Sequence, residues 1–174
     1  ALGAVEAISG AGKDILVVGF DATDDALAAI REGRMGATIA QQPELIGSTS
    51  VANAVKLING DTIDAKIPVE VTLVTIDNVD TFNAKAPVEI VGNGGIGLSV
   101  STQNNPFFVT LVDGAKAKAA ELGVEITVVD AGDDVTKQVS DIWDLCSKDI
   151  NVLIVNPVDS DAVAGAIEAA KAKG

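Results

Sequence analysis

Short apolar runs that alternate with amphipathic stretches are the feature of this sequence that most limits its possible folds. The runs "DILVVGF" at 14–20 and "INVLIVNPV" at 150–158 are typical of strands covered on both faces. Stretches with helical spacing lie between such runs, for example at 24–33, 106–123 and 133–149. Strands that alternate with helices predict an α/β fold with a mostly parallel sheet and helices on both faces.

The same alternation of strands and helices is predicted over most of the chain. Further strands are expected at 35–41, 67–76, 96–102 and 124–131, and further helices at 1–13, 43–60 and 159–174. The last helix, at 159–174, would normally lead into another strand of the sheet. The run 15–20 is the nearest segment that could take the place of that strand. We therefore expect one α/β domain over residues 1–174, a three-layer α/β/α lobe with a flavodoxin-like sheet that contains 15–20, 36–41 and 96–102.

Charge and composition exclude several classes of function. The net charge of −13 argues against nucleic acid as a partner, because neutralising phosphates requires clustered Lys and Arg. Apolar residues make up 48% of the chain and aromatic residues only 3%, so Ala, Val, Ile and Leu must build the core. No apolar run has the length of a membrane span, and no charged and then apolar leader opens the sequence, so we expect a soluble chain without a signal peptide.

The residues needed for catalysis or metal binding do not assemble in this sequence. The chain has no histidine and a single cysteine, Cys146, which excludes Ser-His-Asp and Cys-His sets and favours a packing role for the thiol. No pair of carboxylates stands out as a glycosidase couple. Asp133 and Asp134 beside Asp130 lack the spacing of a calcium loop. Asp21 and Asp130 stand at strand-to-helix junctions, where helix capping is the expected role. We therefore expect no catalytic residue, no cofactor and no metal.

The glycine cluster in "VGNGGIG" (91–97) has the formal spacing G-x-G-x-x-G of a dinucleotide loop. Such a loop must follow a strand and open a helix, so that backbone N–H groups face the phosphates. Here the glycines open the β-like run 96–102, and the next helix begins about ten residues later. A linker at 77–95 is the preferred interpretation, and a nucleotide-binding α/β enzyme remains a remote alternative.

Two stretches of the chain resemble a known family. "IGLSVSTQNNPFFVTLVDGAKAKAAELG" with "VLIVNPVDSDAVAGAIEAAKAKG" resembles the amino-terminal part of the ribose-type periplasmic sugar-binding proteins of ABC transporters. "ALGAVEAISGAGKDILVVGFDATDDALAAIREGRMGATIAQQPELIG", on through "PVEVTLV", resembles the carboxy-terminal part of the same family. The order is reversed and the middle of the family is absent, as in a circularly permuted and truncated chain. Residues 1–76 would then be the carboxy-terminal part of the family and 96–174 the amino-terminal part.

The resemblance implies a non-catalytic sugar-binding site. Asn105, Phe107 and Phe108 match family positions that contact the sugar from the first lobe, and Gln41 matches an amide at the hinge. Aromatic faces stack on the C–H patches of a sugar while amides and carboxylates bind its hydroxyls. The charged contacts of the family lie in its missing middle, so we expect weak or no binding of a ribose-like pentose by this chain alone.

The resemblance also suggests a compartment and partners. The parent family is periplasmic and delivers its ligand to a membrane permease. The leading hypothesis is an engineered, permuted fragment of such a protein. An alternative hypothesis is a receptor lobe that a second chain completes, as a complementing fragment or in a domain-swapped homodimer.

Overall fold

The computed structural model describes residues 1–82 and 95–173 of the 174-residue chain. Helices and strands alternate within each of these two stretches, and their bounds agree with the predicted runs to within about five residues. The helices are α1 (Leu2–Gly10), α2 (Asp24–Arg31), α3 (Pro43–Ile58), α4 (Pro106–Leu122), α5 (Val135–Cys146) and α6 (Ala164–Lys173). The strands are β1 (Val18–Phe20), β2 (Ala37–Ala40), β3 (Thr72–Thr75), β4 (Gly95–Val100), β5 (Glu125–Asp130) and β6 (Val152–Val155).

The described strands form two three-stranded sheets, in the orders β1-β2-β3 and β5-β4-β6. The expectation that 15–20 and 36–41 share a sheet with 96–102 is therefore wrong. β1 pairs with β2 in parallel, and β3 pairs with β2 in the antiparallel direction. Strands that follow one another in the chain tend to pair, and the run 67–76 gives β2 a second local neighbour. Both edges of β2 are then occupied.

The described residues group into two compact units that follow the two sheets. The first unit lies within Ala1–Gln42 and Pro68–Lys85, and the second within Pro43–Ile67 and Ala86–Gly174. Three of the four strand pairs are parallel, and helices pack on both sheets. This arrangement confirms the predicted α/β class.

The second unit has three layers. Successive side chains of a strand point to opposite faces of the sheet. On β6, Val152 and Ile154 contact the core that α3 and α4 build, whereas Leu153 and Val155 contact the core that α5 and α6 build. The two helix pairs therefore cover opposite faces, and five of the six residues of the central strand β4 are buried.

A close contact between α3 and α4 depends on two glycines. A Cβ atom on Gly47 would overlap the carbonyl oxygen of Leu111, and a Cβ atom on Gly114 would overlap that of Glu44. The two helix backbones can approach this closely only because neither position carries a side chain. The contact fixes α4 over the sheet and with it the position of the amino-terminal end of α4.

The first unit is covered by helices on one face of its sheet. Val74 is fully buried against residues of α1 and α2, with Val5 and Ile30 in the same core. Val74 lies beside Thr38 in the strand register, whereas Phe20 and Leu73 lie beside the next residue, Ile39. The side chains of Phe20 and Leu73 therefore point to the face of the sheet opposite that of Val74. Phe20 and Leu73 are 55% and 52% exposed. The described residues thus leave an apolar sheet face in contact with solvent.

Part of the segment predicted as a linker is packed on the first unit. Val79 is buried in the core of that unit and Phe82 packs against it. Asn78 accepts a hydrogen bond from the Thr75 N–H through Oδ1 (2.8 Å) and donates to the Leu73 carbonyl through Nδ2 (3.0 Å). The remainder of the predicted linker, including Gly92 and Gly94, lies outside the described residues apart from Gly95, which begins β4.

Candidate functional site

The carboxyl edge of the second sheet is the candidate site, because ligands of α/β proteins bind beyond the carboxyl ends of parallel strands. β4, β5 and β6 run in parallel, so their carboxyl ends meet at one edge. The segments that leave this edge carry polar side chains, among them Thr102 after β4, Asp130 at the end of β5 and Asn156 after β6.

Asn105 and the two phenylalanines stand together where the chain passes from β4 into α4. Asn105 is the N-cap of α4, and its Oδ1 accepts a hydrogen bond from the Phe107 N–H at 2.9 Å. Pro106 follows at the start of the helix, where its fixed φ is favourable. The Phe107 and Phe108 rings form an edge-to-face pair with their centroids 5.1 Å apart and their planes at 87°. The turn therefore presents two perpendicular aromatic surfaces.

These three side chains have structural roles as well as the predicted ligand role. Phe107 and Phe108 are half-buried and pack against the core of α3, α4 and the sheet. Asn105 is exposed, and while Oδ1 caps the helix, Nδ2 has no hydrogen-bond acceptor within 1–82 or 95–173. A ligand at this edge could therefore contact ring faces and one amide donor of the same turn.

Asp130 does not cap a helix, contrary to expectation. Its Oδ2 accepts from the Gln103 N–H (3.2 Å) and its Oδ1 from the Gly132 N–H (2.8 Å). One carboxylate therefore connects the loop after β4 with the loop after β5. Lys137 donates to the backbone carbonyl of Asp130 (2.8 Å) and pairs with Asp141 (2.6 Å), which places a cation beside this edge. The N-cap of α5 is Asp134.

Gln138 on α5 connects β4 with the segment that follows β6, and sequence reasoning missed it. Its side chain is fully buried, and its Nε2 donates to Ser99 Oγ (3.1 Å) and to the Asn156 carbonyl (2.9 Å). Its Oε1 accepts from the Val158 N–H at 2.7 Å. The available signal was its helical spacing with Ile142 and Leu145, which placed Gln138 on the buried face of α5.

The fourth predicted residue, Gln41, belongs to the first unit, where it directly follows β2 and is half-buried. The next residue, Gln42, has φ +56° and donates through Nε2 to the Glu70 carbonyl at 2.7 Å. The structure therefore brings Asn105, Phe107 and Phe108 together on one turn and places Gln41 in the other unit.

Asp21 also differs from its predicted role as a helix cap. Thr23 caps α2 instead, accepting from the Ala26 N–H at 3.4 Å. Asp21 and Ala22 have φ of +75° and +48°, a backbone conformation that L residues adopt at a cost and that recurs at functional sites. The Asp21 carboxylate is half-exposed and makes no hydrogen bond with the residues that the structure describes.

Other chemical features of the described residues are few. No group of three or more Cys, Asp or Glu side chains lies close enough to hold a metal ion within 1–82 and 95–173. Cys146 is a half-buried free thiol at the end of α5. Among the helices described, none is both long enough and apolar enough to span a bilayer. Gly95 and Gly97 lie within β4 and α4 begins at Pro106, so these glycines do not open a helix as a dinucleotide site requires.

The chain belongs to the periplasmic binding protein domain family, whose profile matches residues 1–62 and 96–174. This match confirms the non-catalytic class, because the family is one of binding proteins.

Several curated proteins are similar over part of the chain. The ribose import binding protein of Haemophilus influenzae is 52% identical over 75 residues, which are 43% of this chain and 26% of that protein. The ribose import binding protein of Bacillus subtilis is 48% identical over 79 residues, 45% of this chain and 26% of that protein. The D-apiose import binding protein of Actinobacillus succinogenes is 40% identical over 82 residues, 47% of this chain and 26% of that protein. Each match therefore spans about a quarter of the relative's length.

A solved structure is similar as well. It is an ABC transporter solute-binding protein from Mycobacterium smegmatis with bound glycerol. It is 47% identical, has a TM-score of 0.47, and the match covers 48% of this chain and 29% of that one.

Proposed function

We propose that the chain is a non-catalytic, circularly permuted and shortened derivative of a ribose-type sugar-binding protein that binds a pentose weakly. The observation that carries the proposal is the turn at Asn105, Phe107 and Phe108 on the carboxyl edge of a parallel sheet. Gln41, in the first unit, stays a prediction of the family resemblance. Periplasmic location and delivery to a membrane permease follow from the family as part of the same proposal.

The pattern of similarity supports the permuted order. The family profile matches 1–62 and 96–174, whereas the three curated relatives described above align over 75, 79 and 82 residues, less than half of the chain. A collinear alignment can follow only one of two segments whose order is exchanged. A chain joined at 77–95 from a carboxy-terminal-type piece (1–76) and an amino-terminal-type piece (96–174) accounts for both observations.

Weak binding is expected because a sugar site normally encloses its ligand. Small-molecule pockets bury roughly 70–90% of the ligand surface, and the matches cover only 26% of each curated relative. The turn at 105–108 supplies one wall of stacking surface. We therefore expect a dissociation constant for D-ribose of about 1 mM or weaker.

The test is a titration of the whole chain with D-ribose, followed by amide chemical shifts and by calorimetry. Shifts confined to 103–108 and the adjacent loops are expected, and Phe107→Ala with Phe108→Ala should abolish them. Trp143→Phe, a change on α5 of the same unit, is the matched control and should leave them unchanged. Sub-micromolar binding by the monomer, or shifts that persist without both rings, would contradict the proposal.

The second candidate function is a receptor lobe that is completed by another chain. The exposed apolar sheet face of the first unit, with Val18, Phe20 and Leu73 each more than half exposed, favours it. In that case the partner supplies the surface that covers these side chains. D-ribose titrations above and below the protein concentration at which the chain associates distinguish the candidates, since binding that does not depend on association supports the first and binding that requires it supports the second.

A further inference from the structure

One edge of the second sheet has a slot that is open to an added β-strand. β6 pairs with β4 on one side, and among the described strands none pairs with its other side. A cavity of about 900 Å³ follows this edge. Its apolar lining comes from Ile150 and Val152 at the strand, from Leu57 of α3, and from Ile167 and Ala170 of α6.

The helices on the two faces of the sheet bound this slot. Leu57 belongs to α3 and Ile167 to α6, and these helices cover opposite faces of β6. Leu57 is 43% exposed, so part of its side chain lies in the open slot. An occupant must therefore be flat enough to lie between two helical layers and must pair with the β6 backbone. An added strand, about 4.8 Å from β6, meets both requirements.

The charged residues that line the slot restrict the sequence of the added strand. Lys148, Lys171 and Lys173 line the cavity, and no Asp or Glu within 1–82 or 95–173 does, in a chain whose net charge is −13. Lys171 has one carboxylate partner, Glu168 at 2.8 Å, and that residue lies outside the lining. The three lysines come just before β6 and at the end of α6. The expected occupant is an apolar extended segment that carries a carboxylate at one end.

The chain itself contains a segment of this description. Asp14 is followed by Ile15, Leu16 and Val18, which are 54%, 77% and 53% exposed. This segment continues into β1, which is an edge strand of the first sheet and pairs only with β2 among the described strands. The backbone edge of β1 and its apolar side chains are therefore available to a second molecule.

We propose that two copies of this chain associate by strand addition: the segment 14–20 of one copy pairs in parallel with the β6 edge of the other. The parallel direction places the carboxylate of Asp14 beside Lys148 at the amino-terminal end of the slot. Leu16 and Val18 point to one face of the extended sheet and Ile15 and Val17 to the other, so the added segment lies between Leu57 and Ile167 of the partner copy. Each copy carries one donor strand and one acceptor edge, and two copies that exchange strands reciprocally would form a twofold dimer with two identical contacts. Sugar binding plays no part in this inference.

The first experiment measures the oligomeric state of the whole chain by sedimentation velocity in buffer of about 0.15 M ionic strength, where the Debye length is about 8 Å. The unsubstituted chain is expected to be a dimer at micromolar concentration. Leu16→Lys is expected to be monomeric, because its ammonium group would enter the apolar part of the slot. Leu16 is 77% exposed, so the substitution should preserve the fold, which circular dichroism checks. An unsubstituted chain that is monomeric, or a Leu16→Lys dimer of unchanged affinity, overturns the proposal.

The second experiment tests the orientation with a charge exchange. Asp14→Lys and Lys148→Glu should each weaken the dimer about tenfold or more, since each places like charges together. The double variant restores opposite charges and should regain most of the affinity. Asp64→Lys changes the net charge by the same amount as Asp14→Lys, at an exposed position, and should leave the affinity near that of the unsubstituted chain. Failure of the double variant to recover overturns the parallel arrangement. A sugar titration that fails would leave these results unchanged, so the two proposals can be rejected separately.

Discussion

At the scale of single residues, Gln138 shows how one buried amide can order a whole loop region. Its side chain bonds to Ser99 in β4 and to the backbone of Asn156 and Val158 after β6. All three contacts lie at the carboxyl edge where the proposed sugar-binding turn begins. A buried amide that makes all its hydrogen bonds contributes to the stability of the fold. A buried donor or acceptor that loses its partner instead costs the full desolvation free energy of that group. Gln138 is thus a positioning residue for the candidate site.

Replacing Gln138 tests this role. Gln138→Ala is expected to lower the free energy of unfolding by about 3 kcal/mol, because it leaves the part-buried Val158 N–H and the buried Ser99 Oγ without this partner and opens a small cavity. Urea denaturation measures the change. Gln103→Ala, at a half-exposed position on the same edge, is the control and should cost less than about 0.5 kcal/mol. Equal losses in both variants would contradict the assignment.

At the scale of elements, the α3–α4 contact determines where the aromatic turn lies. Gly47 and Gly114 allow the two backbones to meet, and α4 begins with the Asn105 cap that carries Phe107 and Phe108. A side chain at either glycine would force the helices apart, since overpacked cores relax by shifting backbone. The first turn of α4, with its aromatic pair, would move with them.

Gly114→Ala is the corresponding prediction. The added methyl group meets the backbone of Glu44, so the variant should lose about 1–3 kcal/mol of stability in urea denaturation. The matched control is Gly165→Ala on α6, where no atom lies within 4 Å of the new Cβ. That substitution should gain about 0.5–1 kcal/mol, because alanine favours the helix. A Gly114→Ala protein as stable as the unsubstituted one would show that the helices can separate freely.

Local signals in the sequence were sufficient for the elements but not for their pairing. Asn105 followed by Pro106 marks the start of α4, and the structure places the cap and the first helical residue there. The strands that pair with 15–20 could not be predicted in the same way, because an apolar run indicates that a strand is buried but does not indicate which strand lies next to it. Gln138 was missed for a related reason: a glutamine on a helix is usually solvated, and only its spacing with Ile142 and Leu145 indicated otherwise.

At the scale of the whole molecule, the two units differ in how many faces of their sheets are covered by helices. The second unit covers its sheet on both faces, and its central strand β4 is almost entirely buried. The first unit has helices on one face, and Val18, Phe20 and Leu73 are exposed on the other. Local opening requires less free energy where fewer apolar contacts are lost. The first unit is therefore expected to open more often.

Hydrogen exchange followed by mass spectrometry measures this difference. Amides of β4 should exchange at least about tenfold more slowly than those of β1 and β2, a difference in opening free energy of about 1.4 kcal/mol or more. The comparison is made on the Leu16→Lys variant, so that association does not protect the edge of β1. Peptides from α4 and α3 serve as internal references for the second unit. Equal protection in the two sheets would show that both open together.

Trp143 gives the molecule an internal optical label. It is the one tryptophan in a chain without tyrosine, it lies on α5, and its ring is 5.8 Å from the ammonium group of Lys173 on α6. Ultraviolet emission from the native protein therefore originates in the second unit and reports the packing of α5 against α6. An unfolding curve recorded by this emission follows that half of the molecule alone, and a dye attached in the first unit would let both halves be monitored at separate wavelengths.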